Sequence, residues 1–132
     1  MSLIKLIDFK NLGDERGELV SFEGNKNIPF DIKRVYCIYS TKKNVVRGLH
    51  AHKTLKQVAV ALKGHCKFIL DDGTRREELI LDTPTQGLLI DSCLWREMYD
   101  FSEDCVLMVL ASDIYDESDY IRDYENFIEA VC

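Results

Sequence analysis

Two of the chain's three histidines, His50 and His52, stand one residue apart in the segment RGLHAHKTLKQ at 47–57. In an extended strand, residues two apart point to the same face of a sheet, so both imidazoles would face one side. Imidazole titrates near neutral pH, so it can accept and return a proton, and it is also a common metal ligand. The pair is therefore a candidate for acid/base catalysis, for metal binding, or for a polar pair that only makes hydrogen bonds within a strand.

The elements that would hold this pair are short strands. Apolar runs separated by turn residues predict strands at 32–40, 57–62, 65–72, 76–82, 87–91 and 104–112. Asp72-Gly73 between two such runs predicts a hairpin. The spacing of Phe127, Ile128 and Val131 predicts a C-terminal helix within 121–132. Many short strands and one terminal helix predict a single all-β domain over 1–132, either an antiparallel sandwich or a barrel.

The composition narrows the class of partner. The chain has 132 residues and a formal net charge of −6, and this charge disfavours general binding to nucleic acid. The longest apolar runs, such as CVLMVLA at 105–111, are too short to span a bilayer, and the first eleven residues do not resemble a signal peptide. We therefore expect a cytoplasmic protein that binds neither nucleic acid nor membrane, and whose arginines and lysines can still gather around a small anionic substrate.

The five cysteines are an odd number without a close-spaced pair. Cys37, Cys66 and Cys105 lie in apolar, strand-like runs, where cysteine usually behaves as a small buried hydrophobic residue. We expect buried, inert thiols in a reducing compartment, with neither a disulfide framework nor a zinc site.

The segment GLHAHKTLKQVAVALKG resembles the first motif of the cupins, which reads H-x-H, three or four residues, Glu, six residues, Gly. Gln57 stands at the glutamate position. The segment PTQGLLI at 84–90 resembles the second motif, with Ile90 in place of the metal-binding histidine. The resemblance implies an all-β, cupin-type jelly roll with a short C-terminal helix. Because an amide is a weaker ligand than a carboxylate and isoleucine cannot ligate at all, we expect no metal.

Strand parity adds a second indication about the interior. If Gln57 faces inward, Ala59 and Ala61 do so too, and their small side chains either leave room for a ligand or allow tight packing. Val58, Val60 and Leu62 would then face outward and need cover from another sheet or another subunit.

A closer resemblance covers nearly the whole chain. Its carriers are the fragments DERGELVSFE, IPFDIKRVYCIYS, RGLHAHKTLKQVAVALKG and LWREMYDFSEDCVLMVLASDIYDESDYIRDYENF. Together they are similar to the nucleotide-sugar 3,4-ketoisomerases, the WxcM-like family within the cupins; the combination of R-G-x-H-A-H-K with Y-D-x-x-D-Y-I-R is specific. The resemblance implies a metal-free enzyme without cofactor that moves the carbonyl of dTDP-4-keto-6-deoxyglucose from C4 to C3, in the biosynthesis of 3-amino sugars. It also implies homodimers that often exchange an N-terminal strand.

Two imidazoles on one face suit this reaction, which removes the proton at C3, passes through an enediol and delivers a proton at C4. The resemblance favours His50 as the main base and His52 as its partner. Tyr36 would hydrogen-bond the sugar or relay a proton, or else be a core residue. The reaction needs no redox cofactor, and the chain has no glycine-rich dinucleotide motif.

Three further residues are candidate substrate contacts near the pair. Arg47 could contact the diphosphate, although simple alternation places it opposite His50; a bulge at Gly48 could turn it inward, and its alternative is a surface ion pair. Gln57 could orient a histidine or hold a sugar hydroxyl. Lys53 would be a phosphate-facing or solvated cation.

Two arginines and a tryptophan complete the candidate substrate-binding set. Trp95 could line the nucleotide pocket or belong to the core, and Arg96 beside it adds a cation. Arg122 could bind the base or the phosphates, or pair with Asp119, Asp123 or Asn126.

Two other functions stay open on the sequence. Nucleotide-sugar 3,5-epimerases also contain R-G-L-H, but this chain continues with AHK and has a second histidine. A sugar-nucleotide-binding cupin without catalysis would keep the fold but would have little need for two inward imidazoles.

Overall fold

Ten strands, a short 3₁₀ helix and an α-helix follow one another in the computed structural model, which describes residues 2–130 and residue 132. The strands are β1 (Lys5–Asp8), β2 (Arg34–Tyr39), β3 (Arg47–His52), β4 (Gln57–Lys63), β5 (Cys66–Asp71), β6 (Arg76–Leu81), β7 (Gln86–Ile90), β8 (Trp95–Tyr99), β9 (Val106–Ala111) and β10 (Tyr120–Ile121). The 3₁₀ helix η1 (Glu117–Asp119) directly precedes β10, and the helix α1 is Tyr124–Ala130. Among the described residues, no helix is long and apolar enough to cross a membrane.

The strands form two five-stranded antiparallel sheets that face each other. Their orders are β1-β7-β4-β9-β2 and β10-β3-β8-β5-β6. Apolar residues of both sheets meet between them, including Ala59, Phe68, Leu88 and Leu107, all at most 1% exposed. This arrangement confirms the predicted all-β cupin-type jelly roll with a short C-terminal helix.

The six predicted strands are confirmed, with ends that differ by one or two residues. The predicted hairpin is also present, since Asp71 pairs with Arg76 across a turn at 72–75. The predicted helix began too early, because residues 120–121 pair with β3 as a strand and the helix begins at Tyr124; among the described residues it covers 124–130. Phe127 is buried and Ile128 is 40% exposed, and Val131 lies outside the described residues.

The outer face of the first sheet is covered by the chain itself. Val58 and Val60 are fully buried under Phe9, Ile28 and Phe30, which belong to the long connection between β1 and β2. The expectation that another sheet or subunit would cover these valines was therefore wrong. The predicted parity is confirmed, because Ala59 and Ala61 lie in the core between the sheets.

The cysteines depart from the expectation in two ways. Cys93 and Cys132 form a disulfide, so the prediction of thiols without a disulfide was wrong for this pair. Cys37 is exposed, because it lies on the outward face of β2, a strand at the edge of its sheet. Cys66 and Cys105 are free and buried, as predicted.

Candidate active site

A β-bulge in β3 shapes the site. The pairing of β3 with β8 shifts between Gly48 and His50, and both Gly48 and Leu49 have positive φ values, of 82° and 54°. A Cβ on Gly48 would lie 3.0 Å from the carbonyl oxygen of Arg96, so the backbones approach more closely than a side chain would allow. The bulge that the sequence suggested is present, and it brings Arg47 and His50 to the same cleft.

His50 is held with a free basic nitrogen. Its Nδ1 donates a hydrogen bond to the Gly48 carbonyl oxygen at 2.9 Å. A carbonyl can only accept, so Nδ1 carries the proton and Nε2 of the neutral ring keeps its lone pair. Burial, with the charge of Arg96 as the second cause, lowers the pKa of His50 from 6.5 to about 4. At neutral pH this side chain is therefore an uncharged base.

His52 packs directly against His50 but is fully enclosed. The ring centroids are 4.9 Å apart and the planes are nearly perpendicular. His52 is 1% exposed, and its Nδ1 lies 3.2 Å from Oδ2 of Asp119. Burial, followed by the charge of Arg96, holds the pKa of His52 well below its usual value. The two histidines thus share one face as predicted, but His50 lines the cleft and His52 lies behind it.

Beneath the cleft lies Arg96, whose side chain is almost completely buried, at 2% exposure. Its guanidinium donates to Oε1 of Gln57 and to the carbonyl oxygen of Leu94. Burial lowers the pKa of Arg96 to about 10, which leaves it charged at neutral pH. The site therefore contains a fixed positive charge, close enough to His50 to depress its pKa. Among the described residues, no carboxylate is hydrogen-bonded to this guanidinium.

Gln57 links the guanidinium of Arg96 to the phenol of Tyr36 by two hydrogen bonds. Because Oε1 faces Arg96, the amide nitrogen faces Tyr36 and donates to its hydroxyl oxygen at 3.0 Å. The Tyr36 hydroxyl thus accepts inside the protein and retains its own proton for a partner in the cleft. Burial raises the pKa of Tyr36, so the phenol is protonated at neutral pH.

The cleft itself has a volume of about 340 Å³, within the range of small-molecule sites. Its polar lining consists of Arg34, Tyr36, Arg47, His50, Tyr120 and Arg122. A much smaller internal cavity of about 10 Å³ shares Tyr36 and His50 with the cleft and also touches Gln57 and Arg96. The sequence-predicted residues Tyr36, Arg47, His50, Gln57, Arg96 and Arg122 therefore converge on one region.

Two of the cleft arginines are stacked on aromatic rings. The guanidinium of Arg34 lies 4.6 Å from the ring centroid of Tyr36. That of Arg122 lies 4.1 Å from the ring centroid of Tyr120 and makes two hydrogen bonds to Glu117, each of 2.8 Å. Glu117, the first residue of η1, lies five residues before Arg122 and was not among the partners expected for it. These contacts hold both guanidinium groups at the cleft.

Two predicted residues lie elsewhere. Trp95 is buried against Phe127 of α1, on the outer face of the second sheet, and its indole donates to Glu97 at 3.0 Å. Adjacent residues of β8 point to opposite faces, so Arg96 faces the interior and Trp95 cannot. Its assignment to the nucleotide pocket is corrected to a core role in this chain. Lys53 is exposed beyond the end of β3 and lines none of the cavities described above.

Three residues of the site were missed by the sequence reasoning. Asp119 and Tyr120 come from the junction of η1 and β10, which pairs with β3 at Tyr120–His52. Both stand inside the motif Y-D-x-x-D-Y-I-R, which was the available signal. Arg34 was considered only as one of several basic residues, and its stacking on Tyr36 follows from their placement in β2.

Gln57 and Ile90 occupy two of the positions that bind metal in other cupins, but their side chains make other contacts in this chain. The Gln57 amide oxygen is bonded to the Arg96 guanidinium, and Ile90 is a core residue at 2% exposure. A buried guanidinium beside Gln57 opposes a second cation at that place. Among the described residues, no three His, Cys, Asp or Glu side chains are grouped so that they could hold a metal ion.

The chain is similar to known proteins in sequence and in fold. Residues 2–132 match the family FdtA, described as WxcM-like, C-terminal. A TDP-4-oxo-6-deoxy-alpha-D-glucose-3,4-oxoisomerase from Aneurinibacillus thermoaerophilus is 59% identical over 123 residues, which are 93% of this chain and 88% of that protein.

Two solved structures are also similar. A 3,4-ketoisomerase from Helicobacter canadensis is 47% identical, with a TM-score of 0.94 over 97% of this chain and 96% of the other. A mutant of the 3,4-ketoisomerase QdtA from Thermoanaerobacterium thermosaccharolyticum, in complex with TDP-4-keto-6-deoxyglucose, is 45% identical, with a TM-score of 0.96 over 99% and 95%. The predicted resemblance is confirmed, and the chain belongs to the WxcM-like, C-terminal family.

Proposed function

We propose that this chain is a sugar-nucleotide 3,4-ketoisomerase that moves the carbonyl of TDP-4-keto-6-deoxyglucose from C4 to C3. The state of His50 carries the proposal, because it is a neutral imidazole whose Nε2 keeps a basic lone pair. His50 lines a cleft that arginines border, and the buried charge of Arg96 lies beneath that cleft. The relative that is 59% identical has the same activity in its name, and the similar QdtA structure holds this sugar nucleotide.

In the proposed first step, Nε2 of His50 removes the proton from C3. The electrons of the C3–H bond form the C3=C4 double bond, and the carbonyl oxygen at C4 becomes an enediolate oxygen. His50 becomes an imidazolium ion, so no other charge leaves or enters the site. The proton of the C3 hydroxyl then passes to the C4 oxygen, and the imidazolium of His50 gives its proton to C4. The electrons of the C3=C4 bond form the new C4–H bond, the C3 oxygen becomes the carbonyl oxygen, and His50 is neutral again. Positioned acid/base catalysis of this kind is typically worth about 10²–10⁴-fold in rate.

The Arg96–Gln57–Tyr36 chain is suited to the negative charge of the intermediate. Tyr36 has a phenolic proton available to the cleft because its oxygen already accepts from Gln57. The charge of Arg96 polarises the Gln57 amide, and the amide in turn polarises the phenol. Tyr36 therefore stabilises the enediolate oxygen or delivers a proton to it, and the donor is fixed in place before the reaction.

Recognition of the diphosphate is assigned to the cationic rim. Arg34, Arg47 and Arg122 border the cleft although the chain carries a net charge of −6. Guanidinium groups form forked hydrogen bonds to phosphate, and two of these three are already held by aromatic rings. Lys53, exposed just beyond β3, is a peripheral cation that adds to the attraction of the anionic substrate.

We also propose a cytoplasmic homodimer. The exposed side chains of Val35, Cys37 and Tyr39 on the edge strand β2 support a contact with a second copy, and light scattering after size exclusion would measure its mass. In the chain described here, β1 pairs with β7 of the same chain, and an exchanged N-terminal strand would form this pairing with the partner.

Proton NMR of TDP-4-keto-6-deoxyglucose incubated with the protein in D₂O tests the function. The proposal predicts that the H3 signal disappears, that the remaining ring-proton signals become those of the 3-keto sugar, and that C4 gains a deuteron or proton. Deuterium entering C3 and C5 with the carbonyl still at C4 would mean a 3,5-epimerase instead. An unchanged spectrum, together with tight binding of TDP, would mean a sugar-nucleotide-binding protein without catalysis.

A further inference from the structure

The carboxylate of Asp119 accepts four hydrogen bonds, one at each of its lone-pair positions. Oδ1 accepts from the backbone N–H and the hydroxyl of Thr54, at 2.9 and 2.8 Å. Oδ2 accepts from the backbone N–H of Leu55 and faces Nδ1 of His52, both at 3.2 Å. These partners are 64 to 67 residues away in sequence, so the carboxylate joins η1 to the end of β3 and the turn that follows it.

This arrangement determines where the proton of His52 lies. Burial raises the pKa of Asp119, but the hydrogen bonds from Thr54 and Leu55 outweigh it and hold that pKa below its usual value. The carboxylate is therefore ionised at neutral pH and can only accept, so His52 donates from Nδ1. Because the pKa of His52 is depressed, the ring is neutral and its lone pair is on Nε2.

The free nitrogen of His52 has a complementary neighbour. Among the described residues, the buried side-chain atoms without a hydrogen-bond partner are Nε2 of His52 and Nη1 of Arg34. Both side chains line one polar cavity of about 30 Å³, which shares Arg34 and Tyr120 with the cleft. His52 Nε2, an acceptor, and Arg34 Nη1, a donor, thus border the same cavity. This agrees with the Nδ1–H form of His52, in which Nε2 can only accept a hydrogen bond.

We propose that Asp119 is a positioning residue for the isomerisation, acting through His52. It fixes the Nδ1–H form and the orientation of the His52 ring, which packs at 4.9 Å from the ring of His50 and 4.3 Å from that of Tyr120. This inference rests on the proposed function for its kinetic part and on the geometry alone for its proton assignment.

The proton assignment is tested on the wild-type protein by ¹⁵N NMR of labelled histidine. We expect His52 to show a protonated Nδ1 and an unprotonated Nε2, and to keep this pattern as the pH is lowered from 7.5 to about 5.5, a range in which an ordinary histidine titrates. A protonated Nε2 at neutral pH, or titration near pH 6.5, would overturn the inference. The result does not depend on whether the protein has isomerase activity, so failure of the two proposals can be told apart.

The kinetic part is tested with Asp119→Asn. Each oxygen of Asp119 accepts a backbone N–H, so in either orientation the N–H₂ of asparagine must face a backbone donor, and the set of four hydrogen bonds that fixes His52 is lost. We expect kcat to fall by about 10-fold or more, in line with the loss of an orienting partner in acid/base catalysis. KM and the affinity for TDP should change little, because the diphosphate arginines are untouched.

Asp71→Asn is the matched control. Asp71 is a buried aspartate that, like the partly buried Asp119, accepts from several donors, here Gly73, Arg76 and Tyr124; it lies in the β5–β6 hairpin outside the site. Both variants should lose stability, but only Asp119→Asn should lower kcat and change the ¹⁵N pattern of His52. A folded Asp119→Asn protein with the kcat and the His52 signals of the wild type would overturn the proposal, as would an equal loss of kcat in Asp71→Asn. If Asp119→Asn does not fold, the wild-type titration decides alone.

Discussion

Replacing Gln57 with glutamate changes the direction of one hydrogen bond and neutralises one buried charge while the shape of the side chain stays the same. In the wild type, the Gln57 amide donates to Tyr36 and accepts from Arg96. A glutamate has no N–H, so the phenol of Tyr36 would have to donate inward to the carboxylate. The cleft would then lose the proton that we assign to stabilisation of the enediolate.

The expected loss of kcat and the expected rise in the pKa of His50 follow from the lost donor and from the new buried carboxylate. Loss of one preorganised donor to a developing oxyanion typically lowers kcat by about 10²–10³-fold. The new carboxylate also compensates Arg96, which is the second cause, after burial, of the lowered pKa of His50. We therefore expect the pKa of His50 in Gln57→Glu to rise from about 4 toward its usual value of 6.5. The fold should persist, because the buried guanidinium exchanges an amide acceptor for a charged one.

The assay combines steady-state kinetics, a pH profile of kcat/KM and thermal unfolding of Gln57→Glu. We expect a kcat at least about 100-fold lower, an acid limb displaced to higher pH, a thermal midpoint within a few degrees of the wild type, and unchanged affinity for TDP. A variant that keeps kcat within about fivefold of the wild type would refute the proposed role of the Arg96–Gln57–Tyr36 chain, because the loss of the donor alone should exceed that.

Of three further predictions, two concern pH and one concerns the cationic rim. Because the active form of His50 is neutral and burial lowers its pKa to about 4, kcat/KM should be level through neutral pH and fall only as the pH approaches about 4; an acid limb near 6.5 would contradict this. The unfolded chain binds protons at both histidines below pH 6.5 whereas the folded chain does not, so the free energy of unfolding should decrease as the pH falls below 6.5, as measured by urea titration. Arg47→Met should weaken TDP binding by roughly 10-fold, reduce its salt dependence and leave kcat within about threefold, because it removes a guanidinium contact to phosphate without touching His50. Lys63→Met, which removes an exposed cation outside the cleft, is the calorimetric control, and equal affinities for the two variants would remove Arg47 from the diphosphate site.

The parts of the fold that depend on residues close together in the sequence could be predicted from the sequence. Strand positions, the hairpin at 72–75 and the inward parity of Ala59 and Ala61 follow from local patterns of apolar and turn residues. The bulge at Gly48 was also suggested locally, because a glycine inside a strand often marks a bulge. β8 escaped prediction since its buried inner face carries Arg96, a residue type that apolar patterns exclude.

The chemistry of the site depends on contacts that sequence order does not show. Arg96 is bonded to Gln57 at a separation of 39 residues, and Asp119 meets His52 at a separation of 67. Neither contact has a local signature. The first depends on β8 and β4 facing each other from the two sheets, and the second depends on the pairing of β10 with β3. The sequence left the pocket and the core open for Trp95, and the structure places it in the core, because it precedes the inward-facing Arg96 and adjacent strand residues face opposite sides. The Cys93–Cys132 disulfide likewise joins two residues that lie in no common pattern.

The central claim is that His50 removes the proton at C3. Its most direct test compares the wild type with His50→Asn on TDP-4-keto-6-deoxyglucose carrying deuterium at C3, in ordinary water, followed by proton NMR. The account predicts that the wild type releases the deuterium with a primary isotope effect, and that His50→Asn binds the sugar nucleotide but retains the label, with at least about a 100-fold loss of turnover. Loss of the deuterium by His50→Asn at more than about a tenth of the wild-type rate would show that another group is the base.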